Sequence, residues 1–345
     1  MRRVAFVLGL AGLLAGAVGI VGCTAIEDAL FDRGVRTLMA GEMPPIDGMR
    51  VLVCGSASPL GNDPERAQAC IAVITNEHFL LFDVGARSPM RMAQARLPMA
   101  RLTGVFLTHF HSDHIASLPD VNLVSWVQGR SESLRVYGGE GVREVVDGFN
   151  AAYRLDRKYR MAHHGSELLR PAAGPMTAVP FTAGDVVWRD ALLTVTSFPV
   201  EHPPISPAVG YRVDYRGRSV VISGDTNATE SLFAAAQGAD LLLHDALSRH
   251  MLDKMIEVAT ELEVPVAPQI MTDVIDYHAD SLTLEEAASQ AGVRQLALYH
   301  LVPSPPNAIA ERLFRRGLSR DTLLVRDLHT FDLPPDSSEI QIHAP

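Results

Sequence analysis

The 345-residue sequence predicts an α/β fold in which two mixed β-sheets pack against each other with helices outside, an αββα sandwich. Two observations carry this. Short runs of β-branched and aliphatic residues, bounded by Gly, Pro, Asp and Ser, recur in both halves of the chain. Between and after them come longer stretches with helical spacing.

The elements follow in order. A β-rich run over 49–54 stops at Gly55-Ser56-Ala57-Ser58-Pro59, a turn-rich loop. Strands are expected over 70–75 and 79–82, the second closing on Asp83-Val84-Gly85, and again over 102–108. The stretch 115–170 reads as helices around one strand at 134–137. Strands at 192–198, 209–215 and 219–223 come close together, the last two joined by Asp214-Tyr215-Arg216-Gly217-Arg218. Helices at 228–237, 246–260, 283–291 and 306–317 then alternate with strands at 240–243 and 295–298.

Composition suits a globular domain with a substantial core: 47% of residues are hydrophobic and 20% charged. Forty acidic residues face thirty Lys and Arg, a net charge of −10. Such a chain lacks the electrostatic attraction that dominates nucleic-acid affinity, so general RNA or DNA binding is not expected. Of the three cysteines, none lies in a CxxC pair, which argues against a structural zinc knuckle. Cys54 and Cys70 fall in neighbouring strands, and pairing or two buried thiols are both open.

The N-terminus has the layout of a secretory signal: Arg2 and Arg3, then an uncharged run from Val4 to Gly22. Ile20-Val21-Gly22-Cys23 resembles a bacterial lipobox, which implies lipidation at Cys23. Thr24 follows, and by the same resemblance the protein would be free to move to an outer membrane. The expected organisation is therefore a signal peptide or membrane anchor over 1–22, a tether over 23–48, a single folded domain over 49–333 and a C-terminal tail over 334–345. The folded domain is expected to be exported and held at a membrane, on the periplasmic face or the cell surface.

Chemistry concentrates in Thr108-His109-Phe110-His111-Ser112-Asp113-His114, directly after a strand. Imidazole and carboxylate are the ligands zinc takes when water must stay bound. His109 and His111 can share one ion, while Asp113 and His114, entering a helix, can serve another.

This HxHxDH pattern resembles the hallmark of the metallo-β-lactamase superfamily, and most of all its ribonuclease Z and arylsulfatase branch. The resemblance spans about residues 49–325. It includes the 55–59 loop with Arg66 downstream, Leu81-Phe82-Asp83-Val84-Gly85, Phe198-Pro199-Val200-Glu201-His202, Ser223-Gly224-Asp225-Thr226 and Leu298-Tyr299-His300-Leu301. It implies the fold above and a binuclear zinc hydrolase. His109, His111 and His202 would hold one ion, Asp113, His114 and His300 the other, and Asp225 would bridge. Manganese or iron could fill the same ligands. A metal-bridging hydroxide would attack the ester, with Asp113 orienting it. His278, which resembles a non-ligand histidine of that branch, would protonate the leaving group, although Ala279-Asp280 follows it where the branch has Ser or Thr.

The expected substrate is a small phosphodiester, an aryl sulfate or a related ester. Ribonuclease Z enzymes carry a long Gly/Pro-rich tRNA arm between the third-region histidine and the bridging aspartate. Here only residues 203–224, twenty-two in all, lie between His202 and Asp225, and two strands fill them. A lactonase, a β-lactamase and a non-catalytic surface binding protein are the other readings, and a homodimer remains open. His163 and His164 read as solvated loop residues and Arg66 as a surface arginine.

Overall fold

The structure is a computed structural model and describes residues 24, 26–36, 39, 43, 45–61 and 63–345. The apolar run before Cys23, and Cys23 itself, lie outside the described residues. The chain divides into two units, Met1–Pro44 and Pro45–Pro345. In the first, residues 26–36 are helical. Among the described residues no helix is long and apolar enough to cross a membrane.

The second unit is a sandwich of two sheets. Its strands run β1 (Met49–Gly55), β2 (Cys70–Ile74), β3 (Phe79–Phe82), β4 (Gly104–Phe106), β5 (Leu134–Gly138) and β6 (Met176–Pro180), then β7 (Val186–Arg189), β8 (Leu193–His202), β9 (Ile205–Tyr215), β10 (Arg218–Ile222), β11 (Leu241–Leu247), β12 (Gln295–Val302) and β13 (Leu323–Leu324), and finally β14 (Thr330–Leu333) and β15 (Gln341–His343). Among the described residues the first sheet has the order β15-β14-β1-β2-β3-β4-β5-β6 and the second β13-β12-β11-β10-β9-β8-β7. Both are mixed: β3 to β6 run parallel, as do β10 to β13, and the rest are antiparallel.

The strands nearest the centre, β2, β3 and β10, are buried at every position, as expected where both faces of a sheet are covered. Inward residues of the two sheets meet in one core. Phe106 stacks on Tyr137 at 4.4 Å and on Phe82 at 5.2 Å, and Tyr211 of the facing sheet closes on both phenylalanines. Helices such as Leu118–Val127, Val142–Ala152, Glu230–Ala235 and Leu284–Gln290 cover the outer faces.

Several elements differ from expectation. β6, β7 and the helix Ala267–Asp273 had no clear signal, and β7 is half-exposed, so its apolar pattern is weak. β8 and β9 run further than expected because they pair along their whole length. Residues 334–345, expected as a tail, include β15, which pairs with β14. Buried Arg218 donates to the carbonyls of Pro334 and Glu339 and anchors that segment. Cys54 and Cys70 form a disulfide with Cα atoms 4.9 Å apart, joining β1 to β2.

Candidate metal centre

Parallel strands point their C-terminal ends the same way, and ligand sites gather at such ends. Asp83 follows β3, His109 follows β4, Asp225 follows β10, and Asp245 and His300 lie near the ends of β11 and β12. His202 closes β8, and Asp113 and His114 lie in the short helix Ser112–Ile115.

Two local devices bring these loops together. Asp83 accepts from the backbone N–H of Thr108 at 2.9 Å and from its hydroxyl at 2.8 Å, so the end of β3 holds the start of the histidine motif. Gly224 has φ +64, and a Cβ there would lie 2.8 Å from that of Thr108. Only glycine lets the Asp225 loop close on the motif without strain. His300 owes its direction to a bulge. Across β11 and β12, Asp245 faces Tyr299 and Ala246 faces Leu301, so His300 is the extra residue, with φ 42. A bulge re-aims a side chain in this way.

The result is two groups of converging ligand atoms. In the first, His111 Nδ1 lies 3.0 Å from His109 Nε2 and 3.2 Å from His202 Nε2. In the second, Asp225 Oδ2 lies 3.2 Å from His114 Nε2 and 3.4 Å from His300 Nε2, and Asp113 Oδ2 lies 3.0 Å from His300 Nε2. Within each group the ligand atoms all lie within 4.8 Å of one another. Ligands ~2.1 Å from a tetrahedral ion sit about 3.4 Å apart, so these spacings suit a shared ion. Asp225 stands between the groups, its Oδ2 3.9 Å from His109 Nε2, and its buried Oδ1 has no hydrogen-bond partner. A buried carboxylate oxygen left bare is costly unless a cation meets it.

The far nitrogens of His114 and His202 are tied down, which fixes which atom of each faces the centre, whereas that of His300 is buried without a hydrogen-bond partner. His114 Nδ1 donates to Asp83 Oδ2 at 2.8 Å and His202 Nδ1 to the carbonyl of Tyr277 at 3.2 Å. Burial pushes the pKa of His109 well below its usual value and lowers those of His111 and His202, so their lone pairs are free. In the second group burial works against charge but loses. Asp225 raises His114 and His300, and those histidines hold Asp113 and Asp225 below the ordinary carboxylate range.

Every expected ligand thus falls in one of these groups. His278 lines the same cleft, and its Nδ1 donates to Asp245 Oδ2 at 2.8 Å. Asp245 also reaches His244, which is buried behind the cleft. Asp83 and Asp245 are functional candidates that the sequence reading left without roles. Their one signal is an acidic residue at the end of an apolar strand. His163 and His164, expected in a loop, are exposed and close the helix Arg154–His164. Arg66 is not on the surface. It is 2% exposed, pairs with Asp63 and donates to the Ser56 hydroxyl and the Val325 carbonyl.

Comparison with known proteins agrees with this geometry. Residues 79–301 match the Beta-lactamase superfamily domain. Ribonuclease Z of Mycobacterium bovis is 34% identical over 259 residues, covering 74% of this chain and 87% of that protein. The chain belongs to the metallo-β-lactamase superfamily, in its ribonuclease Z-like branch. Solved structures of the superfamily share the fold. The metallo-beta-lactamase fold protein YhfI from Bacillus subtilis superposes with a TM-score of 0.58 at 18% identity, covering 82% of this chain and 98% of that one. The short form of human tRNase Z gives 0.58 at 19%, covering 83% and 99%. The chain is accordingly a metal-dependent hydrolase of this fold, with a His/Asp cluster compatible with a divalent metal.

Proposed function

We propose that the chain hydrolyses a phosphodiester with two divalent ions, one held by His109, His111 and His202, the other by Asp113, His114 and His300, with Asp225 shared. The observation that carries this is the convergence of both groups on the buried, half-unpartnered Asp225. The nitrogen-rich donor set suits zinc, with manganese or iron as substitutes. Ions bound there supply a polarised phosphoryl oxygen and an activated water. Asp113 orients the attacking water from its place beside His300. Asp245 fixes the ring of His278, leaving Nε2 as the atom available to give a proton to the leaving oxygen.

Relatives named Ribonuclease Z favour an RNA phosphodiester over the aryl sulfate, lactone and β-lactam. A small phosphodiester is the second reading, and one observation favours it. The residues between His202 and Asp225 are taken up by β9, β10 and their tight turns, which leaves no arm to clasp a tRNA. The test is metal analysis of the full chain together with turnover of precursor tRNA, bis-p-nitrophenyl phosphate, p-nitrophenyl sulfate, nitrocefin and a homoserine lactone. Metal-dependent cleavage of a diester is expected. Two bound ions with no turnover of any of these would return the chain to a non-catalytic binding role.

Export and tethering through Cys23 belong to the same proposal. The basic start and apolar run support them, as does the Cys54–Cys70 disulfide, since disulfides persist in oxidising compartments. Labelled palmitate should enter the membrane-bound protein and be lost in Cys23→Ala; unlabelled protein in the soluble fraction would defeat this part.

A further inference from the structure

We propose that the cleft beside the metal ligands selects a singly charged phosphodiester bearing an apolar, ring-sized group, held against Leu60, Ile270, Val274 and Val302. The phosphodiester rests on the second reading proposed above, a small diester in place of RNA; the apolar wall stands on its own observations.

The cleft has a volume of about 290 Å³. His111, Asp113, Asp225, His278 and His300 line it, and so do these four aliphatic side chains. They come from three separate places: the loop after β1, the end of β12, and the helix Ala267–Asp273 with the turn after it. A small cluster built on Leu247, Leu252, Met271 and Val302 backs the wall, with Leu60 and Val274 packed against it. On the helix, Met271 turns inward while its neighbour Ile270 stays 52% exposed at the cleft. A β-branched aliphatic residue left in water beside a reactive centre gains from an apolar ligand that covers it.

Charge narrows the ligand further. Among the described residues that line the cleft there is no Lys or Arg. The acidic groups that act on the lining residue Tyr277 are Asp113, Asp225, Asp273 and Asp276. Two divalent ions set against Asp113 and Asp225 leave positive charge for one phosphate at the centre. The further phosphates of a polynucleotide draw most of their affinity from cationic side chains, and among the described residues none stands along this wall. A single apolar ester group needs only the wall.

The experiment measures binding of diphenyl phosphate and dimethyl phosphate to the zinc-loaded full chain by calorimetry. Diphenyl phosphate should bind at least about tenfold more tightly, the scale on which hydrophobic pockets discriminate. Ile270→Ser should cut that preference about threefold, Ile270→Leu should keep it, and dimethyl phosphate should bind all three proteins equally. Ile270 is exposed, so these variants keep the fold. Equal binding of the two diesters, a preference unchanged in Ile270→Ser, or tighter binding of a trinucleotide than of diphenyl phosphate would each overturn the proposal. Turnover separates the two readings. Diester hydrolysis without the binding preference removes the wall and keeps the activity; the preference without hydrolysis does the reverse.

Discussion

The two ligand groups lie side by side and are built on opposite principles. The first is three histidines, with His111 only partly buried and all three biased to the neutral form by burial and one another. It carries no net charge and asks for an ion only through free lone pairs. The second is buried, with Asp113, Asp225 and His300 at the floor of the cleft, and holds two carboxylates against two histidines. There His114 and His300 are pushed toward the protonated form, because Asp225, Asp113 and Asp83 demand a cation. The difference teaches that one group is arranged by packing and the other by charge. Asp225 joins them.

The sharpest way to break the comparison is to remove the joint. Asp225→Ala should lower kcat by at least about 10³-fold and reduce bound metal from two ions toward one, because both groups lose a neighbour. Full activity with two ions retained would refute the shared role. A smaller effect, weighted to the second group, is expected from Asp83→Asn. It weakens the direct bond to His114 Nδ1 and reaches the first group only indirectly, through Thr108, which Asp83 also holds. Metal affinity of the second group should fall about 10- to 100-fold, as on loss of other supporting partners of ligand histidines, and that of the first group by less. Titration with a chelator of known affinity resolves the two classes, and equal weakening of both would contradict the separation.

The smallest effect is a proton count. His114 and His300 are raised in the metal-free chain, so their protons stabilise it at low pH and are lost as pH rises through the raised values. An ion must displace those protons, so affinity of the second group should rise with pH. The first group, with lowered histidines, should release none near neutral pH. Calorimetry in buffers of different ionisation enthalpy measures this directly, and buffer-independent heats for both ions would contradict it.

Much of the centre was legible because its densest part is local. His109, His111, Asp113 and His114 lie within six residues after an apolar strand, so ligand type and spacing can be read without a fold. The strands near the core were legible for a similar reason, since burial on both faces leaves continuous apolar runs at β2, β3 and β10. The half-exposed β7 left no such mark, and β15 is exposed and exists through pairing with β14. Asp83 and Asp245 were silent as well. Each acts through a histidine 31 or 33 positions away, and nothing beside either residue records that partner.

By itself the sequence determined the chemistry on offer: which residues can ligate, their order along the chain, and the short link from His202 to Asp225 that leaves no arm. Only the tertiary structure decided how they are used. It turned His300 inward through a one-residue bulge, buried Arg66 in a polar network instead of leaving it at the surface, and set an aliphatic wall from three distant segments beside the ligands. The physical reason is range. Donor atoms and strand periodicity are properties of neighbouring residues, whereas burial, ion pairing and the direction of a side chain depend on parts of the chain that meet only when it folds.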